Sequence, residues 1–221
     1  MRKIGWIETY TGKKIYPLNM CQSNQTSICI DDIAHALSQT CRFGGHTREF
    51  YSVAQHACLV AMMVPNEFKL AALHHDDAEA YLGDVVSPVK GDVYLDQPDI
   101  DPGVDNDFSG LLPYSEYEKH FTSLIFKTLE LGDSSIAGSP PVKLADKAAL
   151  YFEQSVLMTG EVKYENKPTH EMIKLLADHN IRLGSSFKCW SPKEAKIRFM
   201  MTHYNLYKRG YPPSAYGDRK R

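Results

Sequence analysis

The stretch Leu73-His74-His75-Asp76-Asp77-Ala78-Glu79-Ala80-Tyr81-Leu82-Gly83-Asp84 sets two histidines and three carboxylates within six consecutive residues, directly after an apolar run. Phe68, Leu70, Ala71 and Leu73 supply that run's apolar surface, Asn66 is a suitable N-cap and Gly83 a suitable stop. The spacing therefore predicts one helix over residues 66–83. At about 100° per residue, adjacent His75 and Asp76 can converge on one point from the same side of such a helix. Glu79 follows His75 by four residues and Asp76 by three, which puts it on the same face. Carboxylates gathered in this way repel one another when buried, and a divalent cation removes the conflict.

The flanking sequence has the same helical character. Asp31 can cap a short helix through residues 32–37. Ser52 can cap another that runs to Val64, where Pro65 ends it. Further helices are expected at 114–131, 141–159 and 168–179. A last one opens at Ser191-Pro192-Lys193-Glu194, with serine as cap, proline in the first turn and glutamate at the third position. Residues 6–10 and 14–18 read as two short extended pieces around the turn Tyr10-Thr11-Gly12-Lys13-Lys14. Cys41-Arg42-Phe43-Gly44-Gly45-His46 reads as a glycine-rich loop. Residues 87–113 are rich in Pro, Gly and Asp and are expected to form a long loop or lid. The expected architecture is all-α: a bundle of about six helices over residues 31–209, an irregular or β-hairpin lead-in over residues 1–30, and a flexible tail over residues 210–221.

Two ligands do not make a tight site, and two more candidates lie on neighbouring helices. His56 stands in Ser52-Val53-Ala54-Gln55-His56. Asp146 stands in Val142-Lys143-Leu144-Ala145-Asp146, where an acid among apolar residues needs a partner. The order of a histidine, then His-Asp, then a distant Asp on a later helix resembles the HD superfamily of metal-dependent phosphohydrolases. The resemblance spans roughly residues 42–152 and is nearest to bacterial 5′-deoxynucleotidases and phage dATP triphosphohydrolases. Four stretches carry it in order: Val53-Ala54-Gln55-His56, then Ala72-Leu73-His74-His75-Asp76-Asp77-Ala78-Glu79, then Gly83-Asp84 with Ser87-Pro88-Val89-Lys90, then Val142-Lys143-Leu144-Ala145-Asp146.

The resemblance implies that His56, His75, Asp76 and Asp146 hold a metal, with Glu79 as acid or base near the attacking water and Asp84 as its partner. It implies that Arg42 and Phe43 contact phosphate and nucleotide, with phenylalanine where the family has tryptophan, and it makes Lys90 a candidate phosphate contact. The activity implied is hydrolysis of phosphate from 5′-(deoxy)nucleoside monophosphates. Two alternatives stay open: a dNTP triphosphohydrolase that releases triphosphate, and a non-catalytic metal- or nucleotide-binding regulatory module. The ligand types, which include no thiolate, admit one divalent ion of Mn, Co, Fe, Ni or Zn.

The register within His74-His75-Asp76-Asp77 has an alternative, since His74 and Asp77 also make an i, i+3 pair. Only His75-Asp76 places Glu79 and Gly83-Asp84 in the family pattern, and His74 then becomes a supporting hydrogen bond. His35, His46 and His120 are further candidate ligands, although an isolated histidine is more often a surface or core residue. The acids from Asp92 to Asp107 lack the glycine and glutamate positions of an EF-hand loop.

A formal net charge of -2 gives no field that would gather nucleic acid or an anionic membrane. Five cysteines, none in a C-x-x-C pair, fit a reducing cytoplasm better than a thiolate metal knuckle. No signal-peptide core follows Met1, and the apolar stretch 57–64 is too short to span a bilayer. The resemblance also admits a homodimer through helical faces, with the segment around Met200-Met201 as a candidate contact.

Overall fold

The computed structural model describes residues 5–17, 25–96, 111–159, 167–183 and 187–210. Among them are nine α-helices, several of a single turn, and two small antiparallel hairpins. The protein is all-α in architecture, with more and shorter helices than the sequence periodicity implies.

The lead-in is a hairpin of β1 (Ile7–Glu8) and β2 (Lys14–Ile15), with Ile7 opposite Ile15. Its turn is fastened to α1 (Ile30–Gln39) through Asp32. That carboxylate accepts hydrogen bonds from the Thr11 amide at 2.7 Å, the Thr11 hydroxyl at 2.9 Å and the Cys29 thiol at 3.0 Å. The cap expected at Asp31 is therefore not formed. Cys29 occupies the N-cap position and Asp31 lies exposed in the first turn.

The second helix, α2 (Val53–Met63), begins where expected, with the Ser52 hydroxyl accepting from the Gln55 amide at 3.2 Å. Nine of its eleven residues are buried, so it runs through the core rather than along the surface. Ala54, Ala57 and Ala61 keep its profile narrow. Alanines on α7 (Pro140–Leu157), at 145, 148 and 149, do the same, which lets the two helices pack closely. The last helix, α9 (Pro192–Gly210), covers α1, α2 and α3 (Lys69–Leu73). Ser191 caps α9 by accepting from the Glu194 amide at 3.2 Å, while the Glu194 side chain turns to Arg198 instead of closing a capping box. A further helix, α8 (His170–Asp178), packs on α7.

The expected helix over 66–83 is broken. A 3-10 turn at Asn66–Phe68 leads into α3, and a run of turns over residues 74–78 separates α3 from α4 (Glu79–Leu82). Within the run, backbone bonds from Glu79 to Asp76 and from Ala80 to Asp77 close three residues back instead of four. This tighter winding eclipses positions three apart and sets Asp76 and Glu79 one above the other.

The expected loop over 87–113 also carries structure. It opens with α5 (Ser87–Lys90), and β3 (Tyr94–Asp96) pairs antiparallel with β4 (Leu111–Pro113) to form a stem. Residues 97–110 of that segment, and 211–221 of the expected tail, lie outside the described residues. From the stem the chain passes into α6 (Tyr114–Thr128). No helix among the described residues is long and apolar enough to cross a membrane.

Candidate metal centre

Three separate elements meet at one point. His56 comes from the first turn and a half of α2, His75 and Asp76 from the turns after α3, and Asp146 from the second turn of α7. The His56 Nε2 stands 3.1 Å from Asp146 Oδ1 and 3.7 Å from Asp76 Oδ2. The His75 Nε2 stands 3.3 Å from Asp76 Oδ2 and 3.9 Å from Asp146 Oδ1. His56, His75 and Asp146 each bring one ligand atom to within 4.8 Å of the others, a group that could hold a metal ion.

The far side of each imidazole is committed. His56 Nδ1 lies 2.6 Å from Glu153 Oε1, and His75 Nδ1 lies 2.8 Å from the Ala72 carbonyl oxygen. Both acceptors require the proton on Nδ1, so each ring directs Nε2 toward the common point. Both Nε2 atoms are buried and make no hydrogen bond. Two such nitrogens beside two carboxylates fit a divalent ion well. Without it, the charges rearrange. Burial and the Arg42 guanidinium oppose a charged His56, but Glu153 and Asp146 outweigh them and push it up to about 9. Burial would raise the Asp146 carboxyl, yet its contact with His56, together with His75 and Arg42, holds it well below the usual range.

Around this point the polar groups alternate in sign. Arg42 precedes a turn in which Phe43 (φ 56°), Gly44 (φ 58°) and Gly45 (φ 79°) all take left-handed backbone. Phenylalanine is rare in that region, and its strained conformation sets the ring beside the Arg42 guanidinium at 5.6 Å. Arg42 Nε donates to Glu153 Oε2 at 3.2 Å, and its Nη1 lies 3.7 Å from Asp76. Glu79 is buried, with Oε2 making no hydrogen bond, and burial plus the charges of Asp76 and Asp84 push its carboxyl up to about 10. Asp84 is raised too, by burial first. Lys90 donates to Glu118 Oε1 at 2.7 Å and lies 3.9 Å from Glu79. It is tied to two carboxylates.

The alternative pair His74 and Asp77 faces away from this point. His74 Nδ1 lies 2.6 Å from Asp77 Oδ2, its Nε2 lies 2.9 Å from His203 Nδ1 on α9, and all three side chains are buried. His35 stacks on Tyr10, while His46 and His120 are exposed. None of the three belongs to the group.

Three residues of the site escaped the sequence reading. Glu153 follows Asp146 by seven residues, two turns along the same face of α7, so helical spacing held a signal for it. Tyr51, whose hydroxyl donates to Glu153 Oε1 at 2.8 Å, and Glu118 carry no comparable pattern.

Fold and site together define an all-α protein with a partly buried group, His56, His75 and Asp146, that could hold a metal ion, and with Asp76 beside it. No protein-family profile matches the chain. It is 47% identical over 87 residues to an uncharacterized protein of Escherichia coli, YfdR, a match covering 39% of this chain and 47% of that one. It is 35% identical over 97 residues to an uncharacterized protein of Rhodobacter capsulatus, covering 40% of this chain and 48% of that one. The chain thus spans about half the length of the curated relatives it matches.

Proposed function

We propose that this protein is an HD-type metal-dependent phosphohydrolase acting on 5′-(deoxy)nucleoside monophosphates. The observation that carries the reading is the pair of buried, hydrogen-bond-free Nε2 atoms of His56 and His75, aimed together at Asp76 and Asp146 with Arg42 alongside. One divalent ion of Mn, Co, Fe, Ni or Zn, held by these four residues, would supply Lewis acidity and a bound water of lowered pKa. Arg42, anchored through Nε to Glu153 and 3.7 Å from Asp76 through Nη1, has Nη2 to offer to a phosphate oxygen. Glu79 holds and moves the proton at the attacking water or the leaving 5′ oxygen, with Asp84 next to it. The ring of Phe43 offers a face for the nucleoside.

Charge favours one phosphate over three. Among the described residues both cations beside the group already face carboxylates, Lys90 that of Glu118 and Arg42 those of Glu153 and Asp76. A triphosphate brings about four negative charges and needs several unpaired donors. A phosphomonoester is served by the ion and Arg42.

The test is phosphate release from a panel of nucleoside mono- and triphosphates by metal-stripped protein resupplied with Mn, Co, Zn or Mg. Orthophosphate from monophosphates, lost in Glu79→Ala, is the expected result. Triphosphate released from dNTPs would move the protein to triphosphohydrolase chemistry. A metal-loaded chain silent on every substrate would leave a binding module.

A further inference from the structure

We propose that Glu153 is a positioning residue serving two functions at once, with one oxygen orienting the metal-binding imidazole of His56 and the other the phosphate-binding guanidinium of Arg42. The proposal rests on the metal-phosphohydrolase reading and adds a device to it. Glu153 is fully buried on α7 and lies outside the group that could hold the ion. Its oxygens divide the work. Oε1 accepts from His56 Nδ1 at 2.6 Å and from the Tyr51 hydroxyl at 2.8 Å, while Oε2 accepts from Arg42 Nε at 3.2 Å.

The geometry makes each contact directional. A hydrogen bond at His56 Nδ1 fixes both the tautomer and the ring plane, and so the aim of Nε2. A hydrogen bond at Arg42 Nε fixes the plane of the guanidinium and so the directions of its amino groups. A buried carboxylate facing three donors, one of them cationic, is itself satisfied, which accounts for its tolerance in the core. Asp76 Oδ2 closes the ring of contacts from the other side, at 3.7 Å from both His56 Nε2 and Arg42 Nη1.

The division of labour can be separated by one isosteric change. In Glu153→Gln, the amide oxygen best replaces Oε1, because the reverse placement would set the amino group against two donors. The new amino group then faces Arg42 Nε–H, donor against donor, and the arginine is released while His56 stays aimed. Glu153→Ala releases both.

The experiment measures Mn2+ affinity of metal-stripped protein by calorimetry, and then inorganic phosphate affinity of the Mn-loaded protein, for wild type and both variants. Glu153→Gln is expected to hold Mn2+ within about threefold of wild type and to lose phosphate affinity about tenfold to a hundredfold, the scale of a hydrogen bond to a charged group. With nucleotide substrate the same loss appears in KM before kcat. Glu153→Ala is expected to lose Mn2+ affinity by about tenfold to a hundredfold as well. A Glu153→Gln chain that binds phosphate as wild type does, or loses Mn2+ as far as the alanine variant, would overturn the proposal while leaving the phosphohydrolase reading intact. Wild-type protein that binds no Mn2+ would overturn both. A readout needing no variant is ring-proton NMR of Zn-loaded wild type: His56 Nδ1–H is expected downfield and protected from exchange. Fast exchange with water would contradict the Glu153 contact.

Discussion

On the proposed metal-centre reading, the ion-free protein has a stability that depends on the proton held at His56. In the metal-free chain, this imidazole is fully buried and pushed up to about 9, against burial and Arg42, by Glu153 and Asp146. The unfolded chain titrates near the ordinary value of about 6.5. A base whose folded value is raised contributes its stability fully below the unfolded value and loses it as pH climbs to the folded one. The contribution is therefore complete near pH 6 and gone above pH 9. Its size, from 6.5 to about 9 at 1.36 kcal/mol per unit, is about 3 kcal/mol. The depressed carboxyl of Asp146 reflects the same contact and adds nothing further. The assay is urea unfolding of chelator-stripped protein at pH 6, 7.5 and 9, run beside His56→Asn. Glu79, held up near 10 chiefly by burial, also sheds stability as pH rises, but it does so in both chains. The difference between them isolates His56. Wild type should lead the variant at pH 6 by about 3 kcal/mol more than it does at pH 9. A difference that stays flat across this range would refute the charge arrangement derived for the site.

Replacing Glu79 with Gln should lower kcat by about a hundredfold to ten-thousandfold with Mn2+ affinity kept, measured by phosphate release and calorimetry on one preparation. Arg42→Lys keeps the charge but gives up the bond from Nε to Glu153 and the planar fork, so KM for a nucleoside monophosphate should rise about tenfold. His74→Ala leaves Asp77 and His203 buried without their shared partner and should cost about 3 kcal/mol or more in urea unfolding, with one ion per chain still bound.

His56 and Asp146, two of the candidate ligands, were readable because each sits on a strongly patterned segment. Ser52 announces α2 and so places His56, and the alanine-rich run of α7 places Asp146. The break after Leu73 was not readable. Local periodicity favours one continuous helix, and the tightened turns at 74–78 accompany a buried contact from His74 to His203, 129 residues away. Residues 87–113 hid a short helix and a three-residue strand pair for a related reason. Such short elements are held by the pairing itself, here Tyr94 against Pro113, and leave little trace in composition. Glu153 was legible in part. Its spacing from Asp146 was visible, but nothing in the sequence says that this face of α7 turns inward to Arg42 and Tyr51. The left-handed backbone at Phe43 carries no signal at all, since glycine was the residue to expect there.

The most direct test of the central claim pairs metal content with turnover in a single titration. Stripped protein receives Mn2+ in steps while phosphate release from a nucleoside monophosphate is followed, with His56→Ala and Asp146→Ala in parallel. The expected result is activity that rises with ion bound and levels off at one per chain, and that neither variant recovers. Phosphate release that persists in the stripped chain, or an ion held equally well by both variants, would contradict the assignment of this cluster as the metal centre.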